Sequence, residues 1–531
     1  MEKCFTPNPP LSQAHASPLV ALPNEILLQI FECLVLCSHT DNASLHGLFS
    51  LSVTSRYLHT FAMKYLYRGS PNKMMPLMHR LLYTPSLTEH LRGIYFPYSD
   101  RQECDPFQSD GPQNVNTDIL ANISCFRDNQ SLDPEWIQLL QYYPREVLLA
   151  WVIAHTPKLQ TLDLSGIISQ NLSQHRSNLI PIYLEPLLHA SWRLSATEGH
   201  MYDKLTSLSI NMQYQSVCPS RISRLLLLPS LVSFGIYCLR SWPRDEITRN
   251  EADWPIEPKS STVSSIRLSQ CSLSLIHLKL LLASCKAVES FASLDGQYPT
   301  ANNDERALTT LFLSLGDHRN RLRSLNIDSM MTLNMHEGIY RPRYDLKDHC
   351  CLTSLSIPFH HLMGGVNRNA IASSCWSGYP DMRRVLPPSL KFLAITVDQK
   401  WFPSSGSEGH FLSLLPNNCS LDIPLRELHI TYNYIFDDGD HQFPLQSGLD
   451  FPYLENQFRD SGISFTWEVN YNMHDFACDE DFPTLLISKL AELGQRGLEI
   501  ARHTCPLYSV WEIDDIGEAV RAEIEKQQQS I

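Results

Sequence analysis

The amino-acid sequence predicts an α/β solenoid, with parallel strands along a concave wall and helices outside, preceded by a short helical hook. Three observations carry this reading. A short leucine phrase recurs along the chain, apolar helical segments precede most of its copies, and an amphipathic segment of another pattern lies near the N-terminus. At 531 residues the chain is too long for one ordinary compact core, which calls for an extended repeat array or several domains. Hydrophobic residues make up 43% and charged residues 18%, the balance of a folded protein rather than a disordered one.

The phrase is Leu-x-x-Leu-x-Leu/Ile. It occurs as Leu159-Leu162-Leu164, Leu205-Leu208-Ile210, Leu322-Leu325-Ile327, Leu352-Leu355-Ile357, Leu390-Leu393-Ile395 and Leu425-Leu428-Ile430. Looser copies are Leu91-Ile94-Phe96, Leu231-Phe234-Ile236, Val263-Ile266-Leu268 and Val288-Phe291. Two more strict copies, at Leu275 and Leu308, fall in helix-like stretches and are set aside. Inside each phrase the last two apolar residues alternate with polar ones, as a half-buried strand requires. Ahead of the phrases stand helical segments and turns, such as Glu146 to Lys158 before Leu159 and Arg224 to Ser230 before Leu231. A helix, a turn and a strand make one repeat. Stacked repeats pair their strands in parallel and bury a continuous core.

This pattern resembles the leucine-rich repeat, in an irregular form. Most phrase spacings exceed the usual period of about 20–29 residues, so several repeats carry insertions: Ser99 to Asp133, Met330 to Cys350, Pro358 to Leu386 and Phe436 to Gly462. The Asn or Cys expected after the strand is present only at Cys271 and Asn433.

Residues 1–18 are rich in Pro, Ser and Asn and read as a flexible lead-in. A helix is predicted from Pro23, which suits a first helical position, with Glu25 against the positive end of the helix dipole. Ile26, Ile30 and Leu34 form one stripe, Leu27 and Phe31 a second about 100° around. Two more short helices follow, carrying Leu45, Leu48, Leu51 and Val53, then Ser55-Arg56-Tyr57-Leu58 and Phe61. A unit of this size buries little of its own surface and needs an outside partner.

Leu-Pro-x-Glu-Ile-Leu-x-x-Ile-Phe-x-x-Leu followed by Leu-x-x-Leu-x-Val and Ser-Arg-Tyr, over Ala21 to about Arg68, resembles the F-box. The resemblance implies a helical hook that inserts into a Skp-family adaptor and through it reaches a cullin and a RING subunit. It implies adaptor contacts at Leu22, Pro23, Ile26, Ile30, Leu34, Leu51 and Val53. The expected organisation is a tail over 1–18, the F-box-like hook over 19–68, a linker over 69–84, the repeat array over 85–465 and a C-terminal helical cap over 466–531. In the cap, helices are expected over Thr484 to Ala501 and Ile513 to Gln527.

Strand residues out of phase with the buried leucines would line the concave wall and face a target protein. They are Ser165, Ser209, Tyr237, Arg267, Asp328, Thr396, His429 and Tyr432. The aromatic stretches Trp401-Phe402-Pro403 and Tyr432 to Phe436 offer a rival anchor.

The formal charge of −14 and sequence pI near 5.8 argue against nucleic acid as a partner. The early apolar stretch Leu19 to Cys37 is broken by Pro23, Asn24, Glu25, Gln29 and Glu32, so no membrane span is expected. Fifteen cysteines without a Cys-x-x-Cys pair fit buried thiols in a reducing compartment, cytoplasmic or nuclear. No phosphate-binding loop, nucleophile elbow or His-Glu-x-x-His is present, so no catalytic role and no cofactor is expected. His360-His361 with Cys350-Cys351 is the one cluster worth weighing for a metal, and it lacks zinc-site spacing. Asp437-Asp438-Gly439-Asp440 lacks the later Glu of a calcium loop. The F-box and leucine-rich-repeat resemblances together imply the substrate-recognition subunit of an SCF-type (Skp-cullin-F-box) ubiquitin ligase. The alternative is a non-catalytic repeat scaffold that joins no ligase.

Overall fold

The computed structural model describes Thr88 and residues 91–96, 144–156, 158–167, 181–192, 202–212, 219–239, 254–271, 273–294, 311–327, 346–363, 382–398, 411–415, 423–435, 449–472, 487, 491, 504–505 and 516–529. Within them runs one parallel sheet of twelve strands, ordered in space as in sequence. The strands are β1 (Gly93–Tyr95), β2 (Thr161–Leu164), β3 (Ser207–Asn211), β4 (Ser233–Tyr237), β5 (Ser265–Ser269) and β6 (Ser290–Leu294). They continue as β7 (Ser324–Ile327), β8 (Ser354–Pro358), β9 (Phe392–Asp398), β10 (Glu427–Ile435), β11 (Ser464–Asn472) and β12 (Thr504–Cys505).

Each of the ten phrases coincides with one of β1 to β10, and the phrase sets the register. Its second apolar residue lies opposite the same residue of the next strand, as in Leu162↔Leu208↔Phe234↔Ile266↔Phe291↔Leu325↔Leu355↔Leu393↔Leu428. These side chains are all buried and, with the first and third residues of the phrase, build one continuous core. The first residue precedes the strand and closes a tight turn. Leu159, Leu205, Leu231, Leu352 and Leu390 each donate their backbone N–H to the carbonyl three residues back, at 3.0–3.2 Å. This turn recurs before several strands, and the shared register keeps the phrases on the same side of the sheet.

The helices lying wholly within the described residues are α1 (Pro144–Ala154), α2 (Glu185–Trp192), α3 (Pro219–Ser223), α4 (Leu275–Ser284), α5 (Phe359–Met363), α6 (Phe451–Asp460) and α7 (Ile516–Gln529), and residues 311–316 are helical as well. Short 3₁₀ turns at Ile182–Leu184, Arg224–Leu227 and Met382–Arg384 stand in the same layer. The stretch before Leu231 is the 3₁₀ continuation of α3, followed by the turn that leads into β4. Ser274 caps α4 by accepting from the His277 N–H, and Asp450 caps α6 by accepting from the Tyr453 N–H at 3.1 Å.

Buried side chains tie consecutive repeats together at the C-terminal ends of these helical segments, where carbonyls lack intrahelical donors. Tyr202 Oη donates to the Ile153 carbonyl at 2.9 Å, Ser261 Oγ to the Leu226 carbonyl at 2.7 Å, and His318 Nε2 reaches the Leu282 carbonyl at 3.2 Å. Ser261 Oγ also accepts from the Val263 N–H at 3.2 Å. Replacing Ser261 with Ala leaves both groups buried without that partner and is expected to cost roughly 1–3 kcal/mol in urea unfolding. A change under about 0.5 kcal/mol would show that this link is dispensable.

At the opposite ends of the strands the chain exits through left-handed turns. Cys238 and Gln270 follow register-paired residues of β4 and β5 and have φ of 55° and 52°. Cys271 donates its thiol to the Ile236 carbonyl at 3.3 Å, a role for the Cys noted in the sequence. Asn433 lies inside β10 rather than after it. Asn211 does comparable work instead, its Nδ2 donating to the Ser165 carbonyl at 2.7 Å.

Three expectations need correcting. The boundary at 465 cuts through β11, which pairs with β10 along its whole length and is followed by β12, so the sheet runs on into the segment read as a helical cap. Within that segment α7 matches the second expected helix to within a few residues, and Ile487 and Ala491 are helical within the first. The insertion Phe436 to Gly462 contains α6, whose core residues Phe451, Leu454 and Phe458 replace the leucines of other repeats. The insertion Pro358 to Leu386 opens with α5, all five residues of which are buried. The tail, hook and linker over 1–84 lie outside the described residues.

Candidate functional site

Strand residues on the helix side of the sheet are buried in the core; their neighbours in the sequence form an open face. Two rows of this face run across the sheet. The first contains Thr161, Ser207, Ser233, Ser265, Ser290, Ser324 and Ser354, seven small hydroxyl residues in register on β2 to β8, all half-buried. The second reads Asp163, Ser209, Gly235, Arg267, Ala292, Asn326, Ser356, Ala394, His429 and Thr466 from β2 to β11.

Ser209, Tyr237 and Arg267, expected from the sequence to face a target, come together here on β3, β4 and β5. Gly235 lies between Ser209 and Arg267 in the row: a Cβ at this position would stand 2.9 Å from Ser209 Oγ, which would have to turn aside, and in ordinary contact with the Tyr237 ring. The Arg267 guanidinium lies over the Tyr237 ring, 5.9 Å from its centroid, within cation–π range. Its side chain is exposed and makes no ion pair among the described residues. The tripeptide Gly-Ile-Tyr also occurs in β1, where the Tyr95 ring folds back over Gly93 in the same way.

The second grouping is on β10 and β11. His429 Nδ1 is 2.8 Å from Thr466 Oγ1, and His429 Nε2 is 3.2 Å from Thr431 Oγ1. Thr431 Oγ1 donates to Glu468 Oε1 at 2.9 Å, and Nε2 stands 3.6 Å from the same oxygen. The nearby His429 imidazole, helped by the hydrogen bond from Thr431, holds the Glu468 carboxyl below its ordinary pKa against the opposing effect of burial. Thr396 lies beside Thr431 in register. Both imidazole nitrogens are engaged by threonine hydroxyls, so the network fixes side-chain positions on an exposed sheet.

Two expected residues are not on this face. Tyr432 is in phase with Leu428 and Ile430 and is buried, edge-on to Phe451 at 6.2 Å, in an aromatic layer where Phe451 also stacks on Trp467 at 4.5 Å. Ser165 lies past the end of β2 and is buried, its N–H and hydroxyl both donating to Asp163 Oδ1 at 3.1 and 2.7 Å. Asp163 takes the wall position instead. Asp328, Trp401 to Pro403 and Asp437 to Asp440 lie outside the described residues, as do the hook residues Leu22, Pro23, Ile26, Ile30, Leu34, Leu51 and Val53.

Asp163, Gly235, Thr431, Thr466, Glu468 and the serine row were not anticipated. Strict alternation counted from each central leucine was the available signal for β2 to β10. For β11 there was none, because Phe465, Trp467 and Val469 replace the leucines.

His360-His361 and Cys350-Cys351 are not brought together, since β8 separates them. The histidines are buried in α5, while Cys350 is exposed in the turn before the strand. No cluster of three or more His, Cys, Asp or Glu able to hold a metal ion occurs among the described residues. Cys238, Cys271 and Cys285 are buried, and burial pushes the thiols of the last two up to about 12. Among the described residues no helix is long and apolar enough to cross a membrane.

No protein-family model matches the sequence, and no curated protein matches it either.

Proposed function

We propose that this chain is the substrate-recognition subunit of an SCF-type ubiquitin ligase, holding a Skp-family adaptor through an F-box-like hook and a target protein on a leucine-rich-repeat-like array. The observation that carries the reading is the ordered occurrence near the N-terminus of Leu22-Pro23, the stripe Ile26, Ile30 and Leu34, and Ser55-Arg56-Tyr57. The open, polar sheet face supports the second half: it offers a long surface without requiring the core to rearrange. On this reading the chain does no chemistry, and placing the target beside a separate ubiquitin-transferring enzyme is the whole mechanism. Burial of five apolar hook residues, at about 1.5–3 kcal/mol each, offsets much of the cost of association.

The test is co-purification. Replacing Leu22 and Pro23 with Asp and Lys is expected to abolish recovery of the adaptor and cullin, with the circular dichroism of the array unchanged. Equal recovery by the variant and the wild type refutes the contact. Absence of adaptor and cullin from the wild-type purification favours the scaffold reading, in which the same open face binds a partner and no ligase forms.

A further inference from the structure

The charge on the open face is not spread evenly. In the second row Arg267 on β5 is an exposed cation, and the strands after it, β6 to β9, contribute Ala292, Asn326, Ser356 and Ala394 in register, none of them charged. On the far side of this neutral stretch, β10 and β11 bring Glu427 and Glu468 to the same face around His429. On the near side the next charge is Asp163, three strands from Arg267 and already engaged by Ser165.

From this arrangement we infer that the open face binds an extended segment of a partner protein that crosses the strands, with an anionic side chain at Arg267 and a basic side chain at Glu468. The inference rests on the reading that this face holds the target. Arg267 is held by the Tyr237 ring, with its hydrogen-bond donors turned to no acceptor among the described residues. A planar guanidinium so placed suits a carboxylate or a phosphate. Glu468 is kept ionised by Thr431 and His429, which suits an ammonium or guanidinium. Between them the small side chains leave room for a backbone to lie close to the sheet.

Six strand spacings separate β5 from β11. At about 4.8 Å each they span roughly 29 Å, which an extended chain covers in roughly nine residues. The two charges in the partner segment should therefore be about nine residues apart, and opposite in sign.

The test uses arrayed peptides of about twelve residues in a Gly/Ser/Thr background, probed with the purified full chain. Each peptide carries one anionic residue (Asp, Glu or phosphoserine) and one basic residue (Lys or Arg) at varied spacing and in either order. The expected result is a binding maximum near the nine-residue spacing. Arg267→Glu should then weaken the selected peptides at least about tenfold and accept a base in place of the acid, while Glu468→Lys should do the reverse at the other position. The phosphoserine and Asp arms decide whether the anion is a phosphate or a carboxylate. Binding without dependence on spacing, no binding at all, or preferences unmoved by either charge reversal overturns the inference. Adaptor recovery measured on the same two variants separates this outcome from the ligase reading: adaptor bound with no peptide selection sinks only the inference, and peptide selection with no adaptor sinks only the ligase.

Discussion

Acidification to about pH 5 is expected to destabilise the folded array by at least about 2 kcal/mol. The repeats bury histidines in neutral form. Burial lowers His360 to about 3 and His277 to about 4, and it also lowers His318 and His349. His361 is held well below its ordinary value by burial and by the His360 ring 4.2 Å away. His318 shows why protonation is resisted. Its Nδ1 accepts from the Val288 N–H at 3.3 Å while its Nε2 serves the Leu282 carbonyl, a pairing open only to the neutral ring.

Because the folded pKa values lie below the unfolded value of about 6.5, the unfolded chain takes up protons first as pH falls. The contribution is complete above that value and declines below it, down to about 3 for His360. At pH 5, about 1.5 units below the unfolded value, His360 alone accounts for about 2 kcal/mol, and the other four act in the same direction. Urea unfolding between about pH 7.5 and 5 measures the slope. A His360→Phe, His361→Leu double variant should show a shallower slope, and equal slopes for variant and wild type would dispose of this account.

The second large effect is expected at Phe291. It is fully buried in β6, between Ile266 of β5 and Leu325 of β7 in register. Phe291→Ala removes a side chain from the continuous core and opens a cavity that neighbouring repeats cannot close, with an expected loss of about 3–5 kcal/mol. Leu313→Ala, at a position 72% exposed, is the control and should stay within about 0.5 kcal/mol of the wild type. Chemical denaturation followed by circular dichroism reads both. A Phe291→Ala loss under about 1 kcal/mol would mean that repeats are stabilised one by one rather than through a shared core.

Much of the sheet was legible in the sequence because the repeat writes its pattern in leucine. Leu162, Leu208, Leu325, Leu355, Leu393 and Leu428 mark six strands directly, and Phe234, Ile266 and Phe291 were found by position once the spacing was known. Where aromatics take over, the signal fails: α6 with Phe451 and Phe458, and β11 with Phe465 and Trp467, pack as leucines do but without the phrase. Tyr432 was misplaced for a related reason. Alternation decides which side a strand residue faces, and two steps beyond Ile430 is still the buried side. Ser165 and Asn211 show the remaining difficulty, since both lie where strands turn out of the sheet and local hydrogen bonds, not alternation, decide burial. The grouping of Ser209, Tyr237 and Arg267 depends on the register between β3, β4 and β5, which no single-residue pattern conveys.

The matching of spatial order to sequence order in the sheet has a consequence for how such a chain can assemble. Among the described residues each strand is bonded only to the strands before and after it in the sequence, so adding one closes a single connection. The entropy of loop closure is met in instalments, and no step must bring the two ends of the molecule together. Ordering can start at any well-packed neighbour pair and spread both ways, leaving no topological reason for one terminus to wait for the other.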